Sequence, residues 1–221
     1  CLPHGLTRAE LESLDHRLVA TRRKVARGTS LFQVGDRFES IYAVWTGFFK
    51  TTIASPDGRN QVTGFQLAGE LIGLDGIATR RHELDAIALE DSQVCVLPFD
   101  LLQSLSLEMP SLQMQLLRLT SRDLVRHQQS LLQLGSMYAE ERLATFLVDL
   151  TQRLHARGFS ESALLLRMTR EEIGSYLGLT LETVSRTFSK FQADGLLFVR
   201  NRQIRITDPV GMRHIVEGAT H

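Results

Sequence analysis

The stretch MTREEIGSYLGLTLETVSRTFSKFQADGLL, residues 168–197, contains two amphipathic helix patterns separated by a short turn. Thr169 and Glu172 have the spacing of a capping box, which predicts the start of the first helix. Gly178 is a typical helix terminator, and Thr180 predicts the cap of a second helix. Two short helices joined this closely are typical of a helix–turn–helix, in which the second helix enters the major groove of DNA.

The second helix has an apolar stripe and a compact polar cluster. The stripe, which the three-and-four spacing predicts to be buried, consists of Leu181, Val184, Phe188 and Phe191. The polar cluster consists of Glu182, Ser185 and Arg186. Arginine can fork onto guanine, a carboxylate can accept from the cytosine amino group, and a hydroxyl can reach a base edge. The alternative is an ordinary solvated face with an intrahelical Glu182–Arg186 ion pair.

Basic residues outnumber acidic ones around this cluster, which suits contact with phosphates. Seven basic residues, Arg167, Arg170, Arg186, Lys190, Arg200, Arg202 and Arg205, stand against Glu171, Glu172, Glu182 and Asp194. This local excess, together with the caps and the short turn, favours the DNA-reading interpretation. We therefore predict that DNA is contacted by Glu182, Ser185, Arg186, Thr180, Thr169 and Arg202.

The composition of the chain argues against several classes of protein. Lysine plus arginine equals aspartate plus glutamate at 25 each in 221 residues, so the total charge indicates no partner. No apolar run reaches the length of a membrane span, and two cysteines are too few for a disulfide-stapled secreted protein. We therefore expect a cytoplasmic protein without a membrane partner. Because the first residue is Cys1 rather than methionine, we also expect further residues upstream.

Residues 21–99 are rich in β-branched and aromatic residues arranged in short runs. Turn signals occur at Gly35-Asp36 and Asp57-Gly58, and Gly47 breaks the alternating segment between them. Short strands with frequent turns predict an antiparallel barrel or jelly roll. Near the end of the chain, residues 196–207 predict two further strands around a turn at Asn201.

A long helical pattern follows the β-rich region, with Pro110 suited to a helix start. Leu112, Leu116 and Leu119 form one apolar stripe that can pack on the barrel. A second stripe has the sevenfold spacing of a coiled-coil seam, which predicts a homodimer interface at Leu117, Thr120, Leu124, His127, Leu131 and Leu134. The alternative is a helix wholly buried in one subunit. The fold class is thus α+β, with a sensor domain at 1–106, a dimerisation helix at 107–137 and a winged helix–turn–helix at 138–221.

The order of motifs along the chain resembles the CRP/FNR superfamily of bacterial transcription regulators, and specifically its FNR branch. The similar segments include CLPHGLT, QVTGFQLAGELIGLDGI, VCVLPFDLL, AEERLATFLVDLTQR and MTREEIGSYLGLTLETVSR. The resemblance implies an N-terminal jelly-roll sensor of the cyclic-nucleotide-binding type, a dimerisation helix and a C-terminal winged helix. Glu182, Ser185 and Arg186 match the branch's base-reading E-x-x-S-R positions.

The cyclic-nucleotide pocket of the superfamily needs an arginine followed shortly by serine or threonine, downstream of a Gly-Glu-Leu. Gly69-Glu70-Leu71 is present here, but residues 79–87 read TRRHELDAI. Arg80 and Arg81 lead into two carboxylates, and no hydroxyl follows in the expected place. Because carboxylates repel an anionic phosphate, we expect no binding of cyclic AMP.

The FNR branch instead binds a [4Fe–4S] cluster through four cysteines, three of them near the N-terminus. Cys1 resembles the last of that group and Cys95 resembles the ligand in the barrel. Thiolates are the soft ligands that such clusters require. The other two ligands are expected upstream of Cys1, in a C-x2-C-x5-C pattern ending there. Strand alternation places Cys95 opposite Val94 and Val96, so we expect it to face outward toward the N-terminal segment.

The resemblance implies an oxygen-responsive regulator whose intact cluster favours the DNA-binding dimer. It further implies a palindromic site with TTGAT half-sites and contacts to RNA polymerase through the loop 55–60 and the segment 157–160. The runner-up is a haem- or nitric-oxide-dependent, or effector-free, regulator of the same superfamily. An enzyme of the cupin type is not expected, because the seven histidines are scattered without ligand spacing.

Overall fold

The computed structural model describes residues 21–54, 58 and 60–218. Its contacts divide the chain into two compact units, Cys1–Val125 and Arg126–His221, and each is described by itself. Within the described ranges, no helix is both long enough and apolar enough to cross a membrane.

The first unit contains two four-stranded antiparallel sheets, with strand orders β1-β8-β3-β6 and β2-β7-β4-β5. The strands are β1 Thr21–Val25, β2 Ser30–Phe32, β3 Ser40–Thr46, β4 Phe48–Ala54, β5 Asn60–Leu67, β6 Leu71–Ile72, β7 Asp85–Ala88 and β8 Ser92–Pro98. A 3-10 turn at Leu74–Gly76 follows β6. Apolar residues of both sheets, including Val44, Val94 and Phe49, form a core between them. The predicted jelly-roll architecture is confirmed.

Gly47 separates β3 from β4, as the sequence predicts. Its φ of 99° lies in the left-handed region, and a Cβ at this position would collide with Ser92. Glycine is therefore required at this corner for both backbone conformation and space. Gly35 likewise has a φ of 87° in the predicted turn before β3.

Two helices follow the sheets, α1 at Phe99–Glu108 and α2 at Pro110–Ser136. Pro110 begins α2, as predicted. The predicted domain boundary between residues 106 and 107 falls inside α1, because that helix continues to Glu108. Leu112 is fully buried in a second apolar cluster, against which Leu116 and Leu119 also pack. That cluster covers the other face of the sheet that contains β3 and β8, so the first stripe of the long helix packs on the barrel as expected.

The second unit combines the end of α2 with helices α3 Ala139–His155, α4 Arg170–Leu177, α5 Leu181–Ala193 and α6 Pro209–Gly218. A three-stranded antiparallel sheet accompanies them, with the order β10-β11-β9 and strands β9 Ala163–Leu165, β10 Leu197–Arg200 and β11 Gln203–Ile206. The predicted hairpin around Asn201 is present, and Asn201 has a φ of 58°. Neither β9 nor α6 was predicted from the sequence.

Candidate nucleic-acid interface and sensor site

Local hydrogen bonds fix the first helix of the pair. The Thr169 side chain accepts a hydrogen bond from the Glu172 backbone N–H at 3.1 Å. The Glu172 carboxylate accepts one from the Thr169 backbone N–H at 2.6 Å. Gly178 ends the helix in the left-handed conformation, with a φ of 63°. The predicted capping box and terminator are therefore both confirmed.

Gly174 permits the tight turn between α4 and α5, a role that the sequence interpretation missed. A Cβ at this position would lie 2.6 Å from the backbone oxygen of Leu179. The Leu179 backbone N–H also donates to the Gly174 carbonyl at 2.8 Å. A glycine inside a helix costs stability in the absence of such a packing reason, and that cost was the signal available in the sequence.

The recognition helix α5 begins at the predicted cap, because Thr180 Oγ1 accepts a hydrogen bond from the Thr183 N–H at 3.2 Å. Val184, Phe188 and Phe191 are buried as expected. The prediction that Leu181 is buried is wrong, because Leu181 is 46% exposed. Leu181 lies in the first turn of α5, and the buried residues of the helix begin at Val184.

The E-x-x-S-R side chains lie on the accessible side of α5. Glu182 and Arg186 are exposed and Ser185 is half-buried. The Arg186 guanidinium has one weak contact, at 3.5 Å, to Thr183 Oγ1. No Glu182–Arg186 ion pair forms within the described part of the chain, so the intrahelical alternative is not supported. The carboxylate, hydroxyl and guanidinium are available to meet base edges.

Lys190, one of the basic residues around the helix–turn–helix, is held in an ion pair. Its ammonium contacts both carboxylate oxygens of Glu140 at 2.6 and 2.7 Å, which connects α5 to the start of α3. This hydrogen bond raises the pKa of Lys190 above its ordinary value. Lys190 is therefore engaged within the unit, whereas Arg202 is exposed in the turn between β10 and β11. The local basic excess is smaller than the sequence count indicates.

The sevenfold stripe of α2 is exposed in the single chain, contrary to the alternative of a helix buried in one subunit. Leu124 is 60% and Leu131 is 69% exposed, and Leu117, Thr120, His127 and Leu134 are exposed as well. A line of exposed leucines along a helix marks an interaction surface. This exposure is what a coiled-coil seam requires before a second copy covers it.

Cys95 lies on the opposite side of β8 from Val94, as strand alternation predicts. Cys95 therefore faces away from the core between the sheets, as expected, but it is 0% exposed, because it packs in the apolar cluster with residues of α1 and the start of α2. Cys1 lies outside the described residues. Within those residues, no group of three or more His, Cys, Asp or Glu side chains could hold a metal ion.

The arginines that a cyclic nucleotide would require have other partners. Arg80 pairs with Asp100 at 3.1 Å, and Arg81 donates to the Gly35 carbonyl at 2.8 Å. Between these arginines and the carboxylates, His82 is buried and stacks on Phe32 with ring centroids 3.6 Å apart. A phosphate would have to displace these contacts before it gained any of its own.

The two predicted polymerase-contact segments are described to different extents. Most of the loop 55–60 lies outside the described residues. The segment 157–160 forms turns after α3, with Gly158 at a φ of 84° and Phe159 exposed. An exposed aromatic ring on a turn is available for contact with another protein.

Comparison with known proteins agrees with this arrangement. Two domain families match the chain, the cyclic nucleotide-binding domain over residues 22–108 and the Crp-like helix-turn-helix domain over residues 141–215. The transcriptional regulatory protein btr of Bordetella pertussis is 45% identical over 216 residues, covering 98% of this chain and 89% of that protein. The transcriptional activator protein Anr of Pseudomonas protegens is 43% identical over 219 residues, covering 99% and 89%.

Further similarity extends to another curated relative and to a solved structure. The fumarate nitrate reduction regulatory protein of Klebsiella oxytoca is 43% identical over 206 residues, covering 93% of this chain and 82% of that protein. The structure of FixK2 from Bradyrhizobium japonicum superimposes with a TM-score of 0.82 at 32% identity, covering 90% of this chain and 98% of that chain.

A jelly roll, a long helix with an exposed leucine seam and a capped helix–turn–helix define a DNA-binding transcription regulator rather than an enzyme. The chain belongs to the CRP/FNR family. The predicted family, fold class and general function are thereby confirmed, and the relatives support DNA binding by a dimeric regulator.

Proposed function

We propose that the protein is an oxygen-responsive transcription regulator that binds a palindromic DNA site as a homodimer. The observation that carries the proposal is the exposed E-x-x-S-R cluster at the start of a capped recognition helix. Two copies related by the α2 seam would present two such helices to successive major-groove faces about 34 Å apart. The names of the relatives, an anaerobic regulator and a fumarate nitrate reduction regulator among them, support the response to oxygen.

Within each half-site, the reading residues have distinct tasks. Arg186 would fork onto guanine, Glu182 would accept from the cytosine amino group, and Ser185 would contact a base edge or a thymine methyl group. A TTGAT half-site offers the G·C pair that the first two contacts require. Arg202, on the exposed turn of the wing, would bind phosphate and carry no sequence information. Thr169 and Thr180 cap their helices and orient the first-turn N–H groups toward the DNA backbone.

The residues of this chain fit an iron–sulfur cluster only in part. Cys95 supplies one soft ligand in an apolar, water-excluded setting, which suits a cluster. The chain contains only two cysteines, so it cannot complete a four-cysteine site by itself. When bound, the cluster would supply an oxygen-sensitive link between the N-terminal cysteines and β8. Ligation would require Cys95 as the thiolate.

The surroundings of Cys95 indicate how a change at this residue would reach the dimer. Cys95 shares one apolar cluster with Leu105 of α1 and Leu112 of α2, and all three are fully buried. Close-packed clusters do not absorb displacement gradually, so a change at Cys95 alters the packing of the first turn of α2. A shift of only a few kcal/mol would then tip the equilibrium of a marginal seam.

Contacts with RNA polymerase are the remaining part of the proposal. The segment 157–160 presents an exposed aromatic ring, that of Phe159, on a turn of the second unit, which suits a transient protein contact. The loop 55–60 is the second candidate, in the sensor unit. A purely DNA-binding repressor would need neither segment.

Anaerobic purification followed by exposure to air tests the proposal. The full-length protein should bind a TTGAT palindrome anaerobically and lose that affinity in air, and its visible absorbance should bleach in parallel. A random duplex of equal length is the control. Binding that ignores air, with no iron or sulfide, would favour an effector-free regulator, and a Soret band would favour a haem-dependent one.

A further inference from the structure

Arg142 connects the end of α2 to the end of α4. Its guanidinium donates three hydrogen bonds, from Nε to the Met137 carbonyl at 2.9 Å, from Nη1 to the Leu177 carbonyl at 3.0 Å and from Nη2 to the Leu134 carbonyl at 2.9 Å. Leu134 and Met137 lie at and just beyond the last turn of the dimerisation helix, and Leu177 is the last residue of the first helix of the helix–turn–helix. All four residues belong to the second unit.

The position of Arg142 in its own helix requires an explanation. It lies in the first turn of α3, after Glu140 and Glu141, where the helix dipole favours acidic residues and disfavours a cation. The C-terminal ends of α2 and α4 each present carbonyl groups that lack intrahelical donors and carry partial negative charge. A guanidinium placed between two such ends can donate hydrogen bonds to the carbonyls of both.

Neighbouring contacts show that the junction is closely packed. The Ser130 hydroxyl and the Tyr176 hydroxyl are 2.9 Å apart, which connects α2 to α4 a second time. A Cβ at Gly178 would lie 3.0 Å from Leu134 Cδ2 and 3.4 Å from Arg142 Nη1. Gly178 therefore has a second role besides ending α4 in the left-handed conformation. Because it has no side chain, it leaves room for the Arg142 guanidinium.

We propose that Arg142 is a positioning residue that fixes the helix–turn–helix to the end of the dimerisation helix. Half of the seam residues, His127, Leu131 and Leu134, lie in the same unit as this junction. A rigid connection sets the direction in which each recognition helix leaves the dimer seam, and hence the half-site spacing that the dimer accepts. This consequence for DNA rests on the proposed binding of a palindrome as a dimer.

The first test is the spacing preference of the full chain. Affinity is measured on two palindromes with identical half-sites that differ by two base pairs in the central spacer. The wild type should strongly prefer one spacing. Arg142→Met should reduce that preference about tenfold, as expected for the loss of a hydrogen bond to a charged group. Arg142→Lys should not restore it, because one ammonium cannot reproduce a fork onto three carbonyls.

The matched control is Arg153→Met, on the same helix, where the guanidinium pairs with Asp149 one turn away at 3.2 Å. This variant should keep the spacing preference of the wild type. If Arg142 had only a structural role, its variants would melt at a lower temperature and would lose affinity for both palindromes by the same factor. An unchanged preference in the Arg142 variants would thus overturn the proposal.

Hydrogen exchange tests the junction without DNA. The Met137 N–H donates to the Gln133 carbonyl and the Leu179 N–H donates to the Gly174 carbonyl, so these amides report on the ends of α2 and α4. In Arg142→Met both should exchange about tenfold faster, and in Arg153→Met neither should change. If the wild type showed no spacing preference, the proposed binding of a palindrome by a dimer would be refuted. The exchange rates of the two amides would still show whether Arg142 fixes the ends of α2 and α4. Unaltered exchange in Arg142→Met would refute the junction itself.

Discussion

The helix–turn–helix and the β-rich unit place the side chains proposed to be functional in opposite environments. Glu182 and Arg186 are exposed on a helix whose start is fixed by local caps, whereas Cys95 is completely buried beneath two helices. A base-reading group must meet its partner without rearrangement of the protein, so exposure on a rigid element suits it. A sensing group must change the packing around it, so burial in a shared cluster suits it.

The contrast predicts that the largest effect comes from Cys95. In the full-length protein, Cys95→Ala should abolish iron and acid-labile sulfide incorporation during anaerobic reconstitution, because the proposed thiolate ligand is lost. The apolar alanine keeps the cluster of buried side chains intact except for a small cavity, so folding should survive. Elemental analysis and circular dichroism of the same samples check both statements.

Cys95→Ser is the paired variant, and it separates ligation from packing. A hydroxyl buried without a partner costs about 1–3 kcal/mol, so this variant should melt earlier than Cys95→Ala while also lacking iron. Full iron content in either variant would remove Cys95 from the ligand set. Equal stability of the two would mean that the residue is more accessible than its burial indicates.

The next largest effect concerns the rigidity of the DNA-reading element. Gly174→Ala should destabilise the second unit by about 3 kcal/mol, because the new methyl group would meet the Leu179 backbone oxygen, which cannot rotate away. Urea unfolding of the purified protein measures it. Gly135→Ala, near the end of α2, is the control, because a Cβ there meets nothing within 4 Å and should be neutral or slightly stabilising. Similar midpoints for the two variants would contradict the close approach.

These examples show which features the sequence can predict. The caps at Thr169, Gly178 and Thr180 depend on residues within one turn of each other, and all three were predictable. The burial of Cys95 depends on helices that pack over the far face of its sheet. The pairing of Lys190 with Glu140 joins residues 50 apart in the chain. Such long-range contacts leave no periodic signal, which is why the face of the strand that carries Cys95 was predictable while its burial and the ion pair of Lys190 were not.

A smaller effect is expected from the reading cluster itself. Arg186→Ala should lower affinity for a TTGAT palindrome by about 1–3 kcal/mol and affinity for random duplex much less, because a bidentate contact to guanine is lost. Arg202→Ala, on the wing, should weaken both duplexes about equally and reduce the salt dependence. Fluorescence anisotropy at two salt concentrations measures these affinities. If Arg186→Ala kept the preference of the wild type for the palindrome, the E-x-x-S-R assignment would be wrong.

The smallest effect concerns the seam, where exposure has a different meaning. The leucines of the stripe are exposed in one chain because a second copy is needed to cover them, and His127 interrupts them with a polar ring. A polar residue at a seam position lowers dimer stability and keeps the equilibrium adjustable. His127→Leu should therefore strengthen dimerisation by about 1 kcal/mol, through additional apolar surface buried between the copies. Sedimentation equilibrium measures the dimer constant.

Gln128→Leu is the matched control, since it adds the same side chain to an exposed neighbouring position off the stripe. Equal strengthening by both variants would show that the sevenfold stripe does not set the register of the dimer, and the exposed leucines would then need another partner.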